Sequence, residues 1–114
     1  MRSSEDFRRA TRHGVRAGRS TLVVHAVRTL GDGVHIGFVV GRPVGPAVVR
    51  NRVKRRLRHL AAAQLESTPT GVDVVVRALP GAAMARESLA ADLSSAWRRA
   101  LQRLPSAVDD IHRP

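Results

Sequence analysis

Apolar and polar residues alternate or recur along this chain with periods that change at identifiable breaks. Residues 20–28, Ser-Thr-Leu-Val-Val-His-Ala-Val-Arg, read as a strand, with Leu22, Val24 and Ala26 on one face. Leu30-Gly31-Asp32-Gly33 is a turn signal, and residues 34–40 form a second strand with Ile36, Phe38 and Val40 on one side. The pattern predicts that these two strands pair as a hairpin. Their opposite face, carrying Val23, His25, His35, Gly37 and Val39, is less bulky and partly polar, and so suited to face a ligand. Residues 72–77 are valine-rich and predict a third strand inside the sheet.

Two long helical patterns follow the same logic. Gly45-Pro46 is a stop followed by a helix start, since proline is tolerated where its missing N–H is not needed. A helix is predicted over 46–65, with Val49, Val53, Leu57, Leu60, Ala61 and Leu65 as its buried stripe. A second is predicted over 86–104 on Leu89, Leu93, Ala96, Trp97, Ala100, Leu101 and Leu104, and Trp97 is assigned to the core. A short helix over 4–12 is capped by Ser3 or Ser4 and carries Phe7 as its one large apolar residue, a core anchor or a platform for a base. Residues 15–19 are a loop or a short edge strand. The expected arrangement is one domain over 1–104, both long helices on one sheet face and the short helix near the other, with 105–114 a loose tail.

Charge sharpens the picture. Twenty Lys and Arg against nine acids give a formal net charge of +11, which concerns partners more than fold. Lys54 is the sole lysine. Arginine suits bidentate phosphate contacts, although the abundance of Ala, Val, Arg and Gly also matches a GC-rich coding bias. Between Arg50 and Arg58 nearly every position off the apolar stripe is cationic, and no acid follows until Glu66. A helix ordinarily gains from intervening acids through i,i+4 pairs. The bland reading is a solvated face. A membrane or calmodulin site is disfavoured by a narrow aliphatic stripe without Trp or Phe. A polyanion with closely spaced phosphates fits better.

The chemistry of catalysis is missing from the sequence. Nine acids are scattered over separate elements, without the clustering a metal-dependent nuclease needs. His25 and His35 are placed by the hairpin pattern as cross-strand neighbours, able in principle to hold a metal or act as acid and base. There is no cysteine, phosphate-binding glycine loop or G-x-S-x-G elbow. No apolar run has the length of a membrane span and the N-terminal residues lack a signal-peptide core, so a cytoplasmic location is the expectation.

The run Val44-Gly45-x-Ala47-Val48-x-Arg50-Asn51-Arg52-x-Lys54-Arg55-x-x-Arg58 resembles the "RNR" signature of the bacterial ribonuclease P protein component. The likeness extends from Glu5-Asp6-Phe7 through the helix at 86–104 and leaves out the tail. It implies an α+β, two-layer α/β sandwich of the ribosomal protein S5 domain 2-like type, in the order αβββαβα, with a left-handed βαβ crossover that departs from the usual handedness. It further implies a cofactor role toward a catalytic RNA that holds Mg2+ and removes the 5′ leader of precursor tRNA. Such a chain needs no active site of its own, no membrane and no obligate protein partner. By motif position Arg50, Asn51, Arg52, Lys54, Arg55 and Arg58 would contact the catalytic RNA. Phe7, Thr11, His25, Val39, Arg42 and Arg77 would line a cleft for the leader.

Departures from the family pattern fall on that cleft. Thr11 and His25 stand where aromatics are common, Val39 and Pro43 replace a small polar residue and a lysine, Arg77 is offset by one, and Arg42 substitutes for a neighbouring lysine. Single strands are held by stacking plus cationic contacts, so leader contacts are expected to be differently arranged. A ribosome-associated RNA-binding protein would share the same charge and fold, and would co-purify with ribosomal RNA. A protein-only nuclease would cut RNA unaided, and its paired carboxylates are not found.

Overall fold

The structure, a computed structural model, describes residues 14–84 and 86–105. The helix expected over 4–12, with Phe7 and Thr11, and the tail beyond Pro105 lie outside them. Four strands, β1 (Val15–Gly18), β2 (Leu22–Arg28), β3 (Val34–Val39) and β4 (Val72–Ala78), form one mixed sheet in the order β1-β2-β4-β3. Helix α1 (Ala47–Ala62) joins β3 to β4, and α2 (Arg86–Arg103) follows β4.

The predicted hairpin is not formed. β2 pairs antiparallel with β1 and with β4, while β3 runs parallel to β4 on its other side. Composition explains why β4 takes the centre. Val72, Val74 and Val76 are fully buried toward the helices, and Val75 is equally buried on the opposite face. Val75 is the apolar position of that second face, between Asp73 and Arg77, and strands on both sides of β4 cover it. Residues 29–33 therefore bridge across β4: two strand spacings need ~10 Å, and this segment can reach about 17 Å when extended. Thr29 N–H donates to Gly71 O (2.8 Å) and Gly71 N–H to Gly33 O (2.7 Å), so the bridge clasps the start of β4. Gly71 has φ 77°, and a Cβ there would sit 3.3 Å from Gly31 O.

One core lies between the sheet and the two helices. Leu22, Val24, Ala26, Val72, Val74 and Val76 meet Val53, Leu57 and Ala61 of α1, and Leu89, Leu93, Ala96, Trp97 and Ala100 of α2. Full burial of each larger side chain stabilises by about 1.5–3 kcal/mol. Trp97 is in this core, its Nε1–H donating to Thr68 Oγ1 (2.8 Å). Thr68 Oγ1 in turn donates to Gln64 O (2.7 Å), satisfying one of the carbonyls left over where α1 unwinds.

Helix α1 is shorter than its apolar pattern suggests. Pro46 is the cap residue in extended conformation and not the first helical position. At the other end the chain leaves the helix at Ala63 and tightens into a 3-10 turn over Leu65–Ser67, which leaves Leu65 exposed instead of in the stripe. Residues 15–19 resolve in favour of the edge strand, β1.

Candidate nucleic-acid interface

Helix α1 begins where the chain is most tightly constrained. Val44 is buried, Gly45 N–H closes a 3-10 turn onto Arg42 O (3.1 Å), and Gly45 adopts φ 154°. A Cβ at Gly45 would lie 3.0 Å from Val49 Cγ1, so only glycine lets Val49 pack against the turn. With the start fixed, the buried seam of Val53, Leu57 and Ala61 sets the rotation of the helix. Asn51, Arg52, Lys54, Arg55 and Arg58 then face solvent, while Arg50 is half-buried beside the seam with its Nε–H buried and unbonded. Lys54 stands one turn from Arg50 and one turn from Arg58, forming a single cationic column.

These cations have no compensating acids among the described residues. Among the described residues no carboxylate lies within 4.0 Å of Arg50, Arg52, Lys54, Arg55 or Arg58. The first turn of α1 holds no acid either. Four exposed positive groups and the half-buried Arg50, all on one rigid helix, form an array suited to phosphates.

The second candidate region is the sheet face turned away from the helices. Its strand residues fall into rows across the sheet. Arg77 pairs in register with Val23 on one side and Val39 on the other; the next row is Arg16, His25, Val75 and Gly37; the next joins Val27, Asp73 and His35. Thus His25, Val39 and Arg77 share one face, as a common cleft requires. Arg42 sits just past β3, in the turn leading to α1. Arg16 was not singled out in the sequence. Its signal was the alternation of Val15 and Ala17 with Arg16 on a strand too short to identify by pattern, and its register opposite His25 comes only from the fold.

The two histidines do not meet. β4 stands between their strands, and His35 Nδ1 is instead 3.1 Å from Asp73 Oδ1. Asp73 is the one acid among the described strand residues of this face. His25 is buried at 4% exposure, and its Nε2 has no hydrogen-bond partner among the described residues. Burial first, then the Arg77 and Arg16 charges, push its pKa below the ordinary imidazole value. The ring shares this face with Arg16 in its own row and Arg77 in the next.

Among the described residues no three His, Asp or Glu side chains gather as a metal-ligand group. Asp92 accepts from Thr21 Oγ1 (2.7 Å) and Ser20 Oγ (3.3 Å). On the helix side a groove of about 510 Å³ runs between the end of α1 and α2, lined by Gln64, Ser67, Pro69, Trp97, Arg98 and Leu101. It presents neither histidine nor carboxylate for acid–base work. Nor is any helix among the described residues long and apolar enough to cross a membrane.

Comparisons of sequence and of fold with known proteins converge on one family. The family model described as ribonuclease P matches residues 1–101. A ribonuclease P protein component from Nocardioides sp. is 49% identical over 113 residues, covering 95% of this chain and 92% of that protein. One from Streptomyces bikiniensis is 50% identical over 112 residues, covering 89% and 90%. The solved RNase P protein of Staphylococcus aureus superposes with a TM-score of 0.78 at 24% identity, covering 88% of this chain and 93% of that one, which is a likeness of fold. The chain belongs to the family of ribonuclease P protein components, subunits of ribonuclease P that partner an RNA subunit.

Proposed function

We propose that this chain assists endonucleolytic, hydrolytic removal of the 5′ leader from precursor tRNA in the cytoplasm, by binding the catalytic RNA with α1 and the leader across the open sheet face. The single observation that carries the reading is the set of five α1 cations, Arg50, Arg52, Lys54, Arg55 and Arg58, with no carboxylate partner among the described residues. Arg50, Asn51, Arg52, Lys54, Arg55 and Arg58 contact the catalytic RNA. His25, Val39, Arg42 and Arg77, joined by Phe7 and Thr11 from the N-terminal residues, hold the leader. The chain contributes no catalytic residue and no metal ligand; Mg2+ is held by the RNA. Its share is to add substrate affinity and offset phosphate repulsion between two RNAs, lowering the Mg2+ they need. We also assign the fold to the ribosomal protein S5 domain 2-like type, in the order αβββαβα with a left-handed crossover at α1. Precursor-tRNA cleavage by the cognate RNA at low Mg2+, with and without the protein, tests the proposal. A rate increase on adding protein is expected, and no increase refutes it. Cleavage by the protein alone would refute the assignment of chemistry to RNA.

A further inference from the structure

Helix α2 turns one flank toward the outer edge of β1. Thr21 and Ser20 hydroxyls reach Asp92, Arg19 donates through Nε and Nη2 to Ser95 Oγ (3.0 and 2.8 Å), and Arg103 Nη1 donates to Arg16 O. Positions 92, 95, 99 and 103 follow the three- and four-residue spacing of one helix side. Arg99 is therefore on this flank too; it is exposed, and among the described residues its guanidinium meets Gln102 Oε1 at 3.5 Å. Arg16, Arg19, Arg99 and Arg103 thus gather around β1, and none lies within 4.0 Å of a carboxylate among the described residues. The one acid of the flank, Asp92, is held by two hydroxyls.

This edge is continuous with the open face. Arg16 belongs to both: its side chain is in the row with His25, and its carbonyl receives Arg103. From β4 to β1 is ~10 Å, and a stacked strand advances ~3.4 Å per phosphate. About three nucleotides therefore cross from Arg77 to Arg16, and any longer leader emerges over β1.

We propose that the leader of precursor tRNA, after crossing the open face, passes over the β1 edge and is held there through its phosphates by Arg16, Arg99 and Arg103. The proposal rests on the leader reading given above and extends it to a second element, α2. It makes affinity depend on leader length beyond the cleft.

The test uses the full chain reconstituted with its catalytic RNA and precursors whose leaders are lengthened one nucleotide at a time. Wild-type affinity should rise again once the leader reaches past β1. Arg99→Glu should abolish that second rise, weakening long-leader precursors by roughly two- to fivefold. It should lower the salt slope by about 0.7 for each phosphate no longer held and leave short leaders unaffected. Arg98→Glu, the same charge change on the opposite flank of α2, should leave both classes unaffected. Equal effects of the two variants, or an Arg99→Glu loss independent of leader length, would overturn the proposal; the latter would place Arg99 on the catalytic RNA. If wild-type affinity ignores the leader entirely, the underlying reading falls with it.

Discussion

Replacing Lys54 by glutamine should weaken RNA binding and stabilise the protein together. Lys54 lies between Arg50 and Arg58 at four-residue spacing, is exposed, and has no acid partner among the described residues. Its removal thus breaks no ion pair and relieves two like-charge i,i+4 repulsions. At about 0.2–0.5 kcal/mol for each such pair at low ionic strength, the helix gains roughly 0.4–1 kcal/mol. For a domain of this size that is a rise in Tm of about 2–4 °C, shrinking as salt screens the repulsion. Glutamine keeps the helix propensity and most of the length of the side chain. On the binding side, releasing one phosphate of a duplex segment should reduce the slope of log affinity against log salt by about 0.9. Calorimetry or thermal melts of the free protein, paired with RNA titrations over a salt series, read both effects. A fall in Tm accompanying the weaker affinity would mean that Lys54 supports the helix and the repulsion argument is wrong. An unchanged salt slope would mean that Lys54 touches no phosphate.

Three further outcomes follow from individual side chains. Thr68→Val removes the acceptor of the buried Trp97 Nε1–H and should cost about 1–3 kcal/mol in denaturant unfolding, with RNA affinity of the remaining folded protein unchanged; Trp97 is the sole tryptophan, so its fluorescence reports the change directly. Gly45→Ala forces a Cβ against Val49 at an unfavourable φ and should cost about 1–3 kcal/mol, with amide exchange accelerating first in the initial turn of α1. His25 is buried in its neutral form and has a folded pKa below its unfolded one, so the unfolded chain binds the extra proton first. Its contribution is complete above the ordinary imidazole value of ~6.5 and is lost as pH falls from there toward the folded pKa. His25→Phe should therefore flatten the acid limb of stability in that window, and melts on either side of it show whether it does.

Element positions were largely legible because they depend on local periodicity. The stripes of α1 and α2 and the valine run of β4 announce themselves at short range, and all three elements stand within a few residues of the pattern. Strand pairing was not legible, because it depends on contacts between strands distant in sequence. The glycine-rich 30–33 segment favours a turn locally, yet β4 lies between β2 and β3, with Val75 buried on its second face. The same change of neighbours separated His25 from His35 and gave His35 to Asp73. The charge array of α1 was visible in sequence because helical spacing fixes it. Arg16 beside His25 depends on strand register; Arg99 and Arg103 share a helix side by their four-residue spacing, but that this side faces β1 depends on how α2 packs.

The distribution of cost explains why this architecture can carry so much unpaired charge. Self-repulsion along α1 acts on a helix already held by Val53, Leu57 and Ala61 in the shared core and by a glycine-dependent start at Gly45. Each like-charge pair opposes folding by a few tenths of a kcal/mol, whereas each of the larger buried side chains contributes several times as much. The core can therefore absorb the whole array. Neutralising acids on the same helix would recover those tenths, but they would also occupy the cations and repel phosphates. A phosphate-binding helix is accordingly best left unsatisfied in the free protein, with its stability supplied from the opposite face. The same reasoning applies at the β1 edge, where Asp92 is turned to the Thr21 and Ser20 hydroxyls and Arg99 has no carboxylate partner among the described residues.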